Sequence, residues 1–312
     1  MTMLSVNGLS KRFGLRIAVD NVAFAVQKSE IFGLLGPNGA GKSTTLSLIS
    51  GLLKPSPGCV KVGQWDMAMH PSKAKAMLGV VPQEPAIYKE LTARQNLRFF
   101  GEMNDLRGEA LDQAVAEALR VVGLVDRADD RVSRYSGGMQ RRLNIAAGMV
   151  HRPELIIMDE PTVGVDPQSR RHILDAVKEL RDAGTSVIYT SHYVEEVEEL
   201  CDRVAIMDHG RIIAAGTITE LLREAGEYQE MLISLGALAK PEVAHIRAIP
   251  GVHDAFVGDG TVRVLTSATE LVLPTVFTAL VQANYAVTEI KIKKPSLETL
   301  FLKLTGKALR DN

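Results

Sequence analysis

The sequence predicts an α/β fold of the phosphate-loop type, with an antiparallel β layer ahead of its core, a helical insertion within it and a small α+β module behind it. Three observations carry this. The run Gly36-Pro-Asn-Gly-Ala-Gly-Lys-Ser43 fits G-x-x-x-x-G-K-[ST] between an apolar strand-like run, Ile31 to Leu35, and a helix-like one, Thr44 to Leu53. Leu155 to Met158 and Ser186 to Tyr189 are the near-continuous apolar runs that suit parallel strands buried on both faces. From about Met231 the order becomes strand, helix, strand, strand, helix, strand, which is that of a ferredoxin-like module.

Leu4 to Val6 and Ala23 to Val26 alternate as short strands and form the antiparallel layer. Lys54-Pro-Ser-Pro-Gly58 is a turn, followed by strands at Cys59 to Val62 and Met77 to Val81, the latter closed by Gln83. Between about residues 86 and 150 helical periodicity replaces the strand signal. In Ala110 to Val122, for example, Leu111, Val115, Ala118, Leu119 and Val122 share one face. Val204 to Met207, Asp208-His-Gly210 and Arg211 to Ala214 read as a closing hairpin. The expected division is a nucleotide-binding unit over residues 1–220 and an accessory module over 227–312, with a turn at Gly258-Asp-Gly260 and a last helix from Ser296 to Leu304.

The chemistry starts at the loop. In the loop of Gly36, Pro37, Asn38, Gly39, Ala40 and Gly41 the glycines let the chain wrap closely enough for backbone N–H groups to face an oligophosphate, and the following helix points its positive dipole end at the same anion. Lys42 is placed to reach the β- and γ-phosphates, Thr44 continues the contact, and the Ser43 hydroxyl is placed to ligate Mg2+. Asp159-Glu160 ends an apolar strand at the sheet edge where α/β folds bind ligands. Asp159 suits Mg2+, and Glu160 is the candidate general base for a water attacking the γ-phosphate.

Composition excludes several classes. The 312 residues are 46% hydrophobic with a formal net charge of -1, which suits two soluble domains and argues against a nucleic-acid surface. Cys59 and Cys201 lack metal-ligand spacing and read as reduced thiols. No secretory signal is visible at the N-terminus, and the longest uncharged stretch, Leu271 to Thr288, is interrupted by Pro274, Gln282 and Asn284; no membrane span is expected.

Tyr135-Ser-Gly-Gly-Met-Gln-Arg-Arg-Leu143, standing just ahead of Leu155-Ile-Ile-Met-Asp-Glu-Pro161, resembles the signature of ATP-binding cassette (ABC) ATPases. The resemblance covers about residues 4 to 220 and orders the phosphate loop, Gln83, the signature, Asp159-Glu160, Asp166 and His192 as the family does. It implies a second anion site at Ser136, Gly137, Gly138 and Met139 that closes over ATP held by another copy, hence a head-to-tail homodimer with Asp166 communicating across it. It also implies that His192 contacts the γ-phosphate, that Gln83 senses Mg2+, and that Phe13 stacks on adenine. Tyr135 and Met139 stand where many members carry Leu and Gln, and Val163-Gly164 replaces Ser-Ala. These departures, and the tail Pro295 to Gly306, resemble the branch of bacterial exporters for drugs, antibiotics and envelope polymers. The implied function is the ATPase subunit of such an exporter at the cytoplasmic membrane face, bound to a separately encoded permease near Glu84 to Leu97. A soluble family ATPase acting on ribosomes or DNA, or an importer subunit, are the alternatives. The last module reads as a regulatory or dimer-stabilising domain or as an effector-binding one.

Overall fold

The computed structural model describes residues 1–225, 229–235, 243–258, 260–293 and 296–306. Asp259 of the expected turn, Pro295 of the tail pattern and Glu227, the expected start of the last module, lie outside the described residues. The chain divides into two compact units, Met1–Gly216 and Thr217–Asn312.

The first unit opens with a long hairpin, β1 (Thr2–Phe13) and β2 (Arg16–Gln27). Both strands run well past the Leu4 to Val6 and Ala23 to Val26 segments that alternation marks. Register shifts between Val6 and Leu9 and again up to Arg12 add bulges that break the period of two while the pairing continues. β3 (Ile31–Leu35), buried throughout, leads into the phosphate loop, and α1 (Lys42–Ile49) leaves it. β4 (Cys59–Val62) and β5 (Trp65–Asp66) complete an antiparallel sheet in the order β2-β1-β4-β5. Then come α2 (Pro71–Ala76) and β6 (Leu78–Val81).

The helical insertion consists of α3 (Ala93–Met103), α4 (Gly108–Val121) and α5 (Gly137–Met149). Thr92 and Gln95 close a capping box on α3, and α4 buries Leu111, Val115, Ala118 and Leu119, on the face its periodicity marks. The core resumes with β7 (Leu155–Asp159), α6 (Pro167–Asp182), β8 (Ser186–Ser191), α7 (Val194–Leu200), β9 (Arg203–Asp208) and β10 (Arg211–Thr217). The main sheet runs β10-β9-β3-β8-β7-β6, with β9, β3, β8, β7 and β6 parallel. β10 returns through a tight turn at His209 and Gly210, both at positive φ (45° and 80°), as a type I′ hairpin requires.

One apolar core joins the two sheets of this unit. Leu4, Val6 and Leu9 from β1 pack with Phe32 and Leu34 from β3 and Leu46 and Ile49 from α1, and the Phe24 and Phe32 rings stack at 4.9 Å. The antiparallel layer is thereby fastened over the phosphate loop, and the hairpin tip carrying Phe13 is brought to the loop's mouth.

The second unit contains α8 (Ile218–Ala225), β11 (Gln229–Leu235), α9 (Val243–Arg247), β12 (Val252–Gly258), β13 (Thr261–Thr266), α10 (Thr269–Gln282), β14 (Val287–Lys293) and α11 (Leu297–Thr305). Its sheet order, β12-β13-β11-β14, is antiparallel at each junction, so each strand-helix-strand unit is split by a strand of the other. That is the ferredoxin-like arrangement. Met231, Ile233, Val262 and Val264 form its core with Val272 and Val276 from α10. Ser296 caps α11, and Gly306, at φ 71°, ends it.

Candidate nucleotide-hydrolysis site

The loop after β3 forms one wall of a cleft of about 500 Å³. Gly41, the N-cap of α1, has φ 105°, and a Cβ there would lie 2.6 Å from the Ala18 carbonyl; only glycine lets the loop turn so tightly beneath β2. Pro37, Asn38, Gly39, Gly41, Lys42, Ser43 and Thr44 line the cleft together with Phe13, Gln83 and Glu160. Gly36 and Ala40 do not line it: Ala40 is buried in the core, and Gly36 contributes its carbonyl from behind.

At the floor lies a buried constellation. The Lys42 ammonium donates to the carbonyls of Gly36 (2.6 Å) and Pro37 (3.1 Å) and pairs with Glu160 Oε1 at 3.3 Å. Glu160 Oε2 accepts from Gln83 Nε2 at 3.3 Å. His192 Nδ1 stands 3.3 Å from the same oxygen without hydrogen-bond alignment, and is otherwise buried and unpartnered. Lys42 and Glu160 are each about 95% buried, at 5% and 6% exposure, so their attraction is only weakly screened.

Four elements bring these groups together, Gln83 following β6. Lys42 starts α1, His192 follows β8, and Glu160 follows β7 in the left-handed region at φ 46°. A long side chain resists that backbone conformation, and here the Glu160 N–H is held by the Thr190 hydroxyl at 2.9 Å. Thr190 also donates to Asp159 Oδ1 at 2.8 Å, so one β8 hydroxyl holds the Glu160 backbone and orients the Asp159 carboxylate.

Ser136, Gly137, Gly138, Met139 and Asp166 lie outside the cleft. Ser136 caps α5 by accepting from Met139 N–H at 3.2 Å, and Asp166 caps α6 by accepting from Ser169 N–H at 2.9 Å; that bond holds its carboxyl below the usual range. The two caps touch: a Cβ on Gly138 would sit 2.1 Å from Ser169 Oγ and 3.1 Å from Asp166 Oδ2. Gly138→Ala is therefore expected to push the start of α6 away and destabilise the protein by about 1–3 kcal/mol. A thermal melt unchanged from the wild type would show that Ser169 can move aside freely.

Sequence reasoning missed Arg16 and Ala18, which also line the cleft, and Thr190, which bonds the Glu160 backbone and the Asp159 carboxylate. Arg16 lies outside the segments that alternation marks, and its place at the cleft depends on the hairpin's length.

The profile of the ABC transporter family matches residues 19–163. The linearmycin resistance ATP-binding protein of Bacillus subtilis is 45% identical over 99% of this chain and 100% of that relative. The chain belongs to the ABC transporter family. The doxorubicin resistance ATP-binding protein of Mycobacterium tuberculosis is 35% identical over 96% of this chain and 92% of its own length. The Nod factor export ATP-binding protein I of Ralstonia nicotianae is 34% identical over 99% and 95%. Two solved ABC structures superpose on the fold. An ATP-binding subunit of an ABC transporter has TM-score 0.66 at 30% identity, covering 72% of this chain and 94% of its own. The ADP conformation of an ABC transporter's ATP-binding cassette has TM-score 0.64 at 29% identity, covering 70% and 92%. This ABC subunit is accordingly an ATP-binding cassette and an ATPase.

Proposed function

We propose that the protein is the ATP-hydrolysing subunit of an exporter for drugs, antibiotics or envelope compounds, working as a head-to-tail homodimer on a separately encoded permease at the cytoplasmic membrane face. The buried Lys42, Glu160, Gln83 and His192 constellation carries the hydrolytic part. The resistance and export proteins among its relatives favour export over import or a ribosome- or DNA-directed role. Among the described residues no helix is long and apolar enough to cross a membrane.

The Lys42 ammonium gives hydrogen bonds to two carbonyls and faces Glu160 as its ion-pair partner. An arriving γ-phosphate must displace one partner, and Glu160 is the one on a side chain able to move. Binding ATP thus frees Glu160 to accept the proton of a water that attacks the γ-phosphorus as the bond to the bridging oxygen of ADP breaks. His192 is placed to hold that water or the phosphate, and Phe13, half exposed at the hairpin tip, offers a face to adenine.

Mg2+ fits the donor set. Ser43 and Gln83 line the cleft and Asp159 ends β7 beside it, all with hard oxygens. Among the described residues no three His, Cys, Asp or Glu side chains cluster as a metal cage, which suits an ion held largely by nucleotide phosphates and water. Bound there, it would neutralise phosphate charge.

Ser136 to Met139 present an N-capped helix start away from the subunit's own cleft, as a site for ATP held by a second copy requires. The permease is assigned to the surface near Glu84 to Leu97, which is clamped to the insertion. Asn144 accepts from Ala86 N–H (3.0 Å) and donates to the Pro82 carbonyl (3.1 Å), while Asn96 accepts from Tyr88 N–H (2.8 Å). Gln83 lies between the Asn144 contacts, so movement of that surface reaches Glu160. Co-purification with the permease encoded beside it should place the subunit in the membrane fraction and raise ATP turnover several-fold. A subunit that never enters that fraction and turns over equally fast alone would overturn the export assignment.

A further inference from the structure

Behind the cleft is a second buried carboxylate, with no role in the mechanism above. Glu196, on α7, has a side chain with 0% exposure. Its Oε2 accepts from three hydroxyls, Thr162 (2.8 Å), Tyr189 (2.9 Å) and Ser191 (3.0 Å), and Arg170 Nε lies 2.6 Å from Oε1 as its ion-pair partner. Burial, reinforced by the Glu196 charge, pushes the Tyr189 hydroxyl well up, which keeps it a donor throughout the physiological range. A buried carboxylate that takes three hydroxyl hydrogen bonds on one oxygen and faces one guanidinium with the other is expensive to disturb and geometrically restrictive.

The donors come from segments that matter. Thr162 stands two residues beyond Glu160, across Pro161, and Ser191 is the residue before His192. Ser191 Oγ in turn accepts from Tyr193 N–H at 2.9 Å, on the other side of His192. The Arg170 guanidinium lies 5.1 Å from the Tyr193 ring, which packs against the His192 ring at 4.1 Å. Arg170 also follows the Asp166 cap by one turn of α6. One carboxylate therefore gathers the chain beside Glu160, the chain on both sides of His192 and the start of α6.

We propose that Glu196 is the positioning residue that fixes Glu160 and His192 relative to each other, so that the base and the histidine reach the attacking water as one unit. The proposal rests on the assignment of Glu160 and His192 to hydrolysis. Positioning of this kind acts on the transition state, because a displacement of about 1 Å at the reacting atoms costs roughly 10²-fold in rate. Nucleotide binding, which is built from the phosphate loop and the hairpin tip, is unaffected.

The test is steady-state ATPase kinetics on the full chain, well below the melting temperature. Glu196→Gln keeps the shape but replaces one acceptor oxygen with an N–H donor facing hydroxyls and a guanidinium. It is expected to lower kcat about tenfold or more with KM for ATP within about twofold of the wild type. Thr162→Val removes a single donor and leaves Glu196 with its charge partner; a fall of about threefold in kcat is expected, with no additional loss when combined with Glu196→Gln. A folded Glu196→Gln protein with wild-type kcat, or one whose defect lies in KM alone, overturns the proposal. Should Glu196→Gln fail to fold, Thr162→Val decides alone by the same criteria. Glu160→Gln in the same assay separates the two levels: if it abolishes turnover while Glu196→Gln and Thr162→Val keep the wild-type kcat, only the positioning role is lost, whereas rapid turnover without Glu160 removes the assignment beneath it.

Discussion

Glu160→Gln is expected to lower kcat by about 10²–10⁴-fold, the range associated with loss of a positioned general base, while Mg-ATP binding is retained. The amide is isosteric, so the left-handed turn at φ 46° and the N–H bond to Thr190 are left in place. What disappears is the basic oxygen next to Gln83, His192 and Lys42. Lys42 loses its ion-pair partner but keeps the Gly36 and Pro37 carbonyls, and a bound phosphate supplies the missing negative charge. Single-turnover hydrolysis and equilibrium binding of Mg-ATP, measured on the same sample, separate the two effects. Turnover within tenfold of the wild type would remove Glu160 from the role of base.

Lys42→Ala acts on the other end of the same pair. A hydrogen bond to a charged group contributes about 1.5–3 kcal/mol, so removing the ammonium should weaken nucleotide affinity by roughly 10–100-fold. A second effect follows from burial: at 6% exposure, Glu160 is left facing Gln83 and His192 without its cation. Breaking one side of a buried pair is costlier than removing both, so Lys42→Ala should melt at a lower temperature than a variant that also carries Glu160→Gln. Calorimetric binding and thermal melts check both statements. Unaltered affinity would contradict the phosphate-cradle assignment.

The features legible in the sequence are those whose physics is local. The phosphate loop needs its glycines at fixed offsets, the parallel strands β7 and β8 need continuous apolar runs, and Ser136 announces a helix start as a side chain ahead of a first-turn N–H. β1 and β2 were longer than their alternation because bulges slip the pattern without ending the pairing. Glu196 was hidden for the opposite reason. It stands in Val194-Glu-Glu-Val-Glu-Glu-Leu200, which reads as a solvated acidic helix face, and only the tertiary packing of Arg170, Thr162, Tyr189 and Ser191 shows that this glutamate points inward. The Lys42–Glu160 pair is also long-range: motif order places both residues at one edge of the sheet, but their contact at 3.3 Å comes from the adjacency of β3, β8 and β7.

In the proposed dimer one subunit's cleft is completed by another subunit's signature, with ATP between them. Light scattering on Glu160→Gln protein, with its permease and saturating Mg-ATP present, tests this most directly. Adding nucleotide is expected to bring two cassettes into each particle, and Ser136→Arg, which blocks the signature helix start, is expected to prevent it. A single cassette per particle at every nucleotide concentration would contradict it.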